Sequence, residues 1–355
     1  MDSKTINLKR NKVRKLLIVS VLFFIVLSVY FFSKQNKALT IEITASAKSG
    51  GEYIKFLRAC ENTLKLDAEN YSIKMDVIPA PNASYSTIKQ IEEGKAHLGL
   101  AQSNIKDNGS HLASLAFAFI EPFFLFSNNK EIVSIGSIAS QKAPLKCVYL
   151  GHRTQTARDL DSLLTFYGIP KDKLKFVEAN YDSAQILLQE KKVDLGFFIV
   201  GLGNPSIRKM MRDTVLHLVN FENHEAFVYA QNHFINYVLP EGLYGLNFPE
   251  KPYETFATKA MIVCRKDMSV NEVFNLTRAL FEKESEIANS YPFINLEQIE
   301  DFKMNSVPPH PGALLFYNKD EPSYLDKNST LIGTLLSLLG LLISAIPLFK
   351  QIIKK

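Results

Sequence analysis

Small and polar residues are concentrated in two turns that follow strand-like stretches, and such turns can bind an anion. In the first, Ile41–Phe56, β-branched residues lead into Lys48-Ser49-Gly50-Gly51 and then into helix-forming residues from Glu52. A strand-to-helix turn presents unpaired backbone N–H groups and the positive end of a helix dipole at one point. That point favours a carboxylate or a phosphate. Glycines also serve turns that bind nothing, so this stretch alone leaves both interpretations open.

The second turn, Gly151-His152-Arg153-Thr154-Gln155-Thr156, follows the apolar strand-like stretch Cys147–Leu150. Arg153 could hold a carboxylate through two parallel hydrogen bonds, a geometry that lysine cannot reproduce. A solvated arginine with a surface partner is the alternative. His152 has no serine or cysteine nucleophile visibly paired with it, so we interpret it as a turn residue rather than a catalyst.

Two further places present short polar side chains to a ligand. Ser84 precedes the predicted helix Tyr85–Glu93 and could either cap that helix or contact a ligand. Gln102 and Ser103 end a buried strand, and the carboxyl ends of strands line the ligand crevice in open α/β sheets.

The elements around these residues repeat in outline. A helix, a lysine, then Leu-Gly and an apolar stretch occur at Lys95–Ala101 and again at Lys192–Val200. Two similar α/β lobes, each presenting a helix start to the other, would form a ligand-binding cleft. Pro122 argues against a regular central strand at that point of Leu112–Phe126. The periodicity of Val270–Ala288 predicts one long amphipathic helix.

The net charge of +5 depends on the chain ends, since nine of the 41 Lys and Arg residues lie in two terminal clusters. The remaining chain is slightly acidic, which argues against a nucleic-acid partner. The clusters flank the apolar stretches Leu16–Phe32 and Leu331–Phe349, which we predict to span the membrane with both termini cytoplasmic. The first lacks a small-x-small cleavage site and is expected to be an uncleaved anchor. A buried core helix is the alternative for the second.

Cysteine usage and glycine spacing indicate neither a metal nor a cofactor. Cys60, Cys147 and Cys264 are far apart in apolar surroundings, which favours buried thiols, although one pair could be oxidised. Gly201-Leu202-Gly203-Asn204-Pro205 has the wrong spacing for a dinucleotide site.

Taken together, these pieces resemble the TAXI-type solute-binding subunits of TRAP transporters. The resemblance covers about residues 40–320 and rests on the order and spacing of several short motifs. They are Ser49-Gly50-Gly51, Ser84, Gly94 with Leu98-Gly99 and Gln102-Ser103, Glu121-Pro122, Gly201 with Asn204-Pro205, Pro240-x-Gly242-x-Tyr244, Ala279–Glu282 and His310–Ala313.

The resemblance implies an α/β, two-lobed, periplasmic-binding-protein-like domain (type II, Venus-flytrap), and the two apolar stretches add a transmembrane helix on each side of it. The predicted organisation is a cytoplasmic tail at 1–15, an anchor at 16–33, lobe 1 at 38–140 and 251–322, lobe 2 at 141–250, a linker at 323–330, a second transmembrane helix at 331–349 and a tail at 350–355. The implied location is the bacterial inner membrane, with the binding domain periplasmic. The implied partners are a small-molecule carboxylate and a TRAP permease subunit.

Two departures from the family pattern bear on the ligand. Lys48 stands at a glycine position of the first turn, and Arg153 lies in a second turn that is one residue short. Both cations favour an anionic solute such as a dicarboxylate, with a 2-oxo acid or an acidic amino acid as the other classes.

The predicted ligand-binding residues come from both lobes and from the region near the hinge. They are Ser49, Gly50, Gly51, Tyr53, Ser84, Gln102 and Ser103 from lobe 1, Arg153, Thr154, Gln155, Thr156, Gly201 and Asn204 from lobe 2, and Tyr244. The same domain could instead sense a ligand and signal to a membrane partner. An enzyme is not favoured, because no carboxylate pair or nucleophile–base arrangement stands out.

Overall fold

The structure is a computed structural model that describes most of the chain between Gly51 and Asp320 and short pieces outside it. The described residues are 22–23, 25–27, 39–42, 51–65, 71–74, 84–105, 111–152, 154–299, 307–320, 330, 333–334 and 337. The described residues up to Ala313 pack as one unit, and a second unit begins at Leu314.

Helices and strands alternate along most of this region, which confirms the α/β class. The strands are β1 (Leu39–Glu42), β2 (Tyr71–Lys74), β3 (Leu98–Gln102), β4 (Leu112–Ser127), β5 (Leu145–Tyr149), β6 (Leu174–Glu178), β7 (Leu195–Ile199), β8 (His217–Leu218), β9 (Ile235–Leu239) and β10 (Tyr253–Arg265). The helices are α1 (Glu52–Lys65), α2 (Ser84–Glu92), α3 (Gly136–Ala139), α4 (Gln155–Phe166), α5 (Tyr181–Gln189), α6 (Pro205–Met211), α7 (His224–Ala230), α8 (Val270–Glu282), α9 (Glu284–Ser290) and α10 (Pro311–Tyr317).

Eight of the strands form one mixed sheet in the order β3-β10-β4-β7-β5-β6, with β8 beside β4 and β9 beside β10. β5 pairs in parallel with β6 and β7, whereas β10 is antiparallel to β3, β4 and β9. β1 and β2 pair in parallel as a separate two-stranded sheet. The two echoing stretches of sequence become β3 and β7, both fully buried.

β4 connects the two ends of the sheet because it changes partner halfway along its length. It pairs with β10 over Leu112–Pro122 and with β7 over Phe123–Ser127. The expectation that Pro122 interrupts a regular central strand is wrong. Proline lacks an N–H donor, but here it lies where one ladder ends and the next begins, and its carbonyl accepts from the Val200 N–H at 3.4 Å.

Aromatic packing forms the core beyond this change of partner. Phe123 lies with its ring centroid 4.2 Å from that of Phe256 and 5.7 Å from that of Phe197. All three side chains are fully buried, as expected for the phenylalanine-rich stretch. The three cysteines are also buried and unpaired, which confirms the prediction of buried thiols.

The helix predicted over Val270–Ala288 is wrong as a single helix, because it divides into α8 and α9 at Lys283. The backbone of Lys283 has φ −101° and ψ 9°, outside helical geometry. Ser269 begins α8 with a capping box, accepting from the Glu272 N–H at 3.1 Å. Amphipathic periodicity continues across the break, so the pattern alone does not reveal it.

Most of the predicted membrane spans, Leu16–Phe32 and Leu331–Phe349, lies outside the described residues. Residues 22–23 and 25–27 are helical and exposed. Within the part of the chain that the structure describes, no helix has the length and apolar character needed to cross a bilayer.

Candidate functional site

Four helix N-termini converge on one partly open cavity of about 50 Å³. α1, α2, α4 and α5 each contribute their first residues to its wall, and β3 and β7 contribute their carboxyl ends. The lining residues are Gly51, Glu52, Tyr53, Ser84, Gln102, Glu121, Leu150, Thr154, Gln155, Thr156, Tyr181, Ile199 and Val200. The N-terminal end of each helix carries a partial positive charge, so each of the four ends contributes a positive potential at the cavity.

Many of the residues predicted from sequence meet at this cavity, although they come from distant parts of the chain. They are Gly51, Tyr53, Ser84, Gln102, Thr154, Gln155 and Thr156. Ser84 does more than begin α2, since its hydroxyl accepts from the Gln102 N–H at 3.1 Å and so ties that helix to β3. Thr154 caps α4, accepting from the Ala157 N–H at 3.3 Å.

Four other predicted residues lie outside the cavity lining. The Ser103 hydroxyl is 3.0 Å from that of Thr258, and Asn204 caps α6 by accepting from the backbone N–H groups of the next turn at 2.9 and 3.1 Å. Tyr244 is buried, and its carbonyl accepts from the Arg212 side chain. A Cβ on Gly201 would approach the Glu52 Cγ to 2.9 Å, so this glycine permits close packing. A direct ligand contact by any of the four stays a prediction.

Ser49, Gly50 and Arg153, together with Lys48, lie outside the described residues. Their predicted contacts with the ligand are therefore not placed by the structure. Among the described residues that line the cavity, none is a lysine or an arginine.

Sequence reasoning missed three lining residues that carry strong chemistry: Glu52, Glu121 and Tyr181. Both carboxyl groups are buried, with Glu52 2% and Glu121 3% exposed. The Tyr53 hydroxyl donates to Glu121 Oε2 at 3.0 Å, and the Tyr181 hydroxyl donates to the Ile199 carbonyl at 3.4 Å. Glu121 could have been noticed from the sequence, because it is the single acid inside the apolar stretch of β4. A buried charge is costly unless it has a partner, so an acid in such a stretch needs an explanation.

Glu52 is poorly satisfied for a buried carboxyl group. Neither of its oxygens accepts a hydrogen bond of good geometry. Burial raises its pKa from the ordinary 4.5 to about 7, while the nearby Tyr291 hydroxyl and the charges of Lys55 and Arg208 lower it. A side chain at Gly203 would collide with Glu52 Oε1, so the glycine leaves room for this carboxyl group.

Burial raises the pKa of Glu121 further than that of Glu52. Burial raises its pKa to about 8; the Tyr53 hydroxyl opposes this shift, and the neighbouring charge of Glu52 adds to it. The two carboxyl groups therefore repel each other when both are ionised.

A third buried carboxyl group, Asp159 of α4, joins the two sides of the cavity. Its Oδ1 accepts from Asn104 Nδ2 and from Gln155 Nε2, each at 2.8 Å, and its Oδ2 has no hydrogen-bond partner. Burial raises its pKa from the ordinary 3.8 to about 7, against those two hydrogen bonds. The Tyr85 hydroxyl donates to Gln155 Oε1 at 2.8 Å, and the Arg158 guanidinium lies 4.8 Å from the centroid of the Tyr85 ring.

Several solved structures are similar to this chain at low sequence identity. MatC (Rpa3494) from Rhodopseudomonas palustris with bound malate is 11% identical, with a TM-score of 0.48 over 79% of this chain and 96% of that one. A periplasmic transporter is 10% identical, with a TM-score of 0.49 over 74% and 90%. An ABC-type phosphate transport receptor from Vibrio cholerae is 12% identical, with a TM-score of 0.43 over 72% and 99%.

No curated protein matches the chain. The NMT1-like family matches residues 44–320, a range that contains the eight-stranded sheet and every residue of the cavity wall. The chain belongs to the NMT1-like family.

Proposed function

We propose that this chain is an extracytoplasmic solute receptor that binds a small organic acid in the cavity and delivers it to a TRAP-type permease. The observation that carries the proposal is the convergence of four helix N-termini and two strand ends on one partly open cavity with several polar side chains in its wall. Helix N-termini favour a carboxylate, and polar groups at strand ends can orient it. In this proposal binding and release are the whole activity, and no bond is made or broken.

Solute entry requires the cavity to open. About 50 Å³ holds a few water molecules, whereas ligand sites commonly measure roughly 300–1,000 Å³. The hydrogen bonds from Asn104 to Asp159 and from Tyr85 to Gln155 join α4 to the residues after β3 and to α2 beside the cavity. We propose that these bonds break as lobe 2 (141–250) moves away from lobe 1 (38–140 and 251–322), with the segments after β4 and before β10 as the connections between them.

The proposed ligand classes are a dicarboxylate, a 2-oxo acid and an acidic amino acid. Lys48 and Arg153 would bind a ligand carboxylate, together with the N-terminus of α4. Membrane helices at Leu16–Phe32 and Leu331–Phe349 would hold the domain beside the permease, with both chain ends in the cytoplasm of a bacterial cell.

The test is ligand-dependent thermal unfolding of the full chain in a mild detergent. Succinate, malate, 2-oxoglutarate, pyruvate, L-glutamate and L-alanine are each added at millimolar concentration. A compound that binds only the folded chain adds about 2.7 kcal/mol of stability at a hundred times its dissociation constant, which is an easily measured rise in Tm.

A matched pair of variants then locates the site on α4. Thr156→Val changes a residue of the cavity wall, whereas Thr165→Val makes the same change at the exposed end of the same helix. We expect the ligand-induced rise to shrink in Thr156→Val and to persist in Thr165→Val. A folded chain whose Tm responds to none of these compounds would contradict the proposed function, and equal responses in the two variants would place the site elsewhere.

A further inference from the structure

We propose that Asp159 and Asn104 form a proton-dependent latch, which holds the cavity closed more firmly as the medium becomes more acidic. This inference rests on the proposed function, because it describes how the same cavity opens and closes. It concerns the movement of the two lobes and not the identity of the solute, so its test needs no ligand.

The first support is a pair of hydrogen bonds that cross between the proposed lobes. From lobe 1, Asn104 Nδ2 donates to Asp159 Oδ1, and the Tyr85 hydroxyl donates to Gln155 Oε1, each at 2.8 Å. Gln155 and Asp159 are one turn apart on α4, and Gln155 Nε2 also donates to Asp159 Oδ1 at 2.8 Å. One face of α4 is therefore attached to lobe 1 at two points, and Asp159 accepts from both sides of the contact.

The second support is that lobe 1 by itself orients the donor. The Thr258 hydroxyl donates to Asn104 Oδ1 at 3.3 Å, and the Ser103 hydroxyl lies 3.0 Å from that of Thr258. Ser103 Oγ also accepts from the Lys259 N–H at 3.3 Å. Since a side-chain amide has one acceptor end and one donor end, this chain of bonds directs Nδ2 of Asn104 towards Asp159. The donor is thus in place before the lobes meet.

The third support is the burial of an acid that is poorly supplied with donors. Asp159 is 2% exposed, and its Oδ2 is buried without a hydrogen-bond partner. Asn104 is also buried, so the contact as a whole is shielded from water. An ionised carboxylate is costly in such a place, because it has lost water and only one of its oxygens receives donors. Protonation reduces this cost in the closed form, whereas separation of the lobes returns the group to water.

The pKa of Asp159 agrees with this argument. Burial raises it from the ordinary 3.8 to about 7, against the hydrogen bonds from Asn104 and Gln155 and the charge of Arg158. The described titratable groups that face Asp159 are Arg158 on its own helix, Tyr85 from α2 and Glu121 from β4. The Arg158 side chain is exposed, so water screens its charge.

The direction of the pH response follows from the two ends of the movement. The closed form has a pKa of about 7 at Asp159, and a carboxyl group returned to water has the ordinary value of 3.8. The closed form therefore binds the proton more tightly, and it is favoured as the pH falls through 7. One proton linked in this way raises the ratio of closed to open molecules roughly 30-fold between pH 8.5 and pH 5.5.

The experiment measures lobe closure by single-molecule FRET on the full chain in a mild detergent, with no ligand added. The dyes are attached at Glu92→Cys on α2 of lobe 1 and at Lys175→Cys on β6 of lobe 2, two exposed positions. The three native cysteines are buried, so the dyes react with the two introduced thiols. We expect an open and a closed population, with the closed one gaining roughly 30-fold over the open one from pH 8.5 to pH 5.5.

Three variants assign the response to the latch. Asp159→Asn keeps an oxygen for the two donors and is neutral at every pH, so at pH 8.5 it should be closed as the wild type is at pH 5.5. Asp161→Asn removes an exposed carboxylate from the same helix and should respond as the wild type does. Asn104→Ala removes the donor of lobe 1 and should favour the open form most at pH 8.5, where Asp159 is ionised. Glu52 and Glu121 are present in all of these proteins, so their titration is common to the comparison.

The outcomes separate this inference from the proposed function. A wild-type ratio of closed to open molecules that is equal at the two pH values, or that falls on acidification, would overturn the inference. An equal pH response in Asp159→Asn and the wild type would do the same. Because the wild-type comparison is decisive by itself, a variant that fails to fold does not remove the test. Neither result affects the ligand-induced rise in Tm, whose absence would count against the proposed function alone.

Discussion

Replacing Glu52 by glutamine should change how the stability of the ligand-free chain depends on pH. The pKa of Glu52 is raised by burial from the ordinary 4.5 to about 7. Protonation therefore favours the folded state. The stabilising contribution is fully present below pH 4.5 and is lost as the pH rises through 7.

The size of the effect follows from the pKa difference. At 1.36 kcal/mol for each pH unit, a rise from 4.5 to about 7 corresponds to roughly 3 kcal/mol of unfolding free energy. Glutamine is neutral throughout, so Glu52→Gln removes this part of the pH dependence. The variant should gain about 3 kcal/mol relative to the wild type between pH 4.5 and pH 8.

The assay is urea unfolding of the full chain in a non-ionic detergent at pH 4.5, 5.5, 6.5, 7.5 and 8. The chain has 14 tyrosines and no tryptophan, so tyrosine fluorescence and circular dichroism are the signals. Glu92→Gln is the control for the loss of one exposed negative charge. Parallel wild-type and Glu52→Gln profiles across this range would refute the argument, since they would mean that Glu52 titrates alike in the folded and unfolded chains.

Two further changes test the contacts around the cavity and at the end of the described domain. Asn104→Ala removes a donor to the buried Asp159 and should cost about 1–3 kcal/mol of unfolding free energy. The cost should be larger at pH 8 than at pH 5, because the ionised carboxylate needs the donor most; a cost independent of pH would contradict this. Gly312→Ala places a Cβ against the Val270 carbonyl and 2.8 Å from the Phe274 nitrogen. Since backbone atoms cannot move aside easily, we expect a loss of about 1–3 kcal/mol by the same assay, and an unchanged midpoint would show that the helices separate freely.

Local patterns in the sequence were sufficient for the class of the fold and for most element types. Helix α1 begins at Glu52 directly after the glycine turn, and β3 and β7 follow the two echoing stretches. These features depend on neighbours along the chain, namely residue propensity, periodicity and turn chemistry. The errors at Pro122 and Lys283 arise where a strand changes partner and where a periodic pattern continues across a break.

Several residues predicted to bind a ligand share one kind of position within their elements, and their contact with a ligand stays a prediction. Gly51, Ser84, Gln102 and Thr156 lie at helix starts or at a strand end, and the structure brings all of them to one wall. That outcome follows from the rule that such ends meet at the crevice of an α/β sheet.

The chemistry of the cavity was decided by the tertiary structure. Whether a carboxyl group is buried, unpaired and close to another depends on which distant elements pack together, and no local pattern contains that information. The change of partner in β4 at Pro122 places Glu121 beside the start of α1, where burial raises its pKa, the charge of Glu52 adds to that rise and Tyr53 hydrogen-bonds to it. The sequence by itself determined the elements and their polar ends, and the packing of those elements determined that Glu52 and Glu121 are buried near each other beside the cavity.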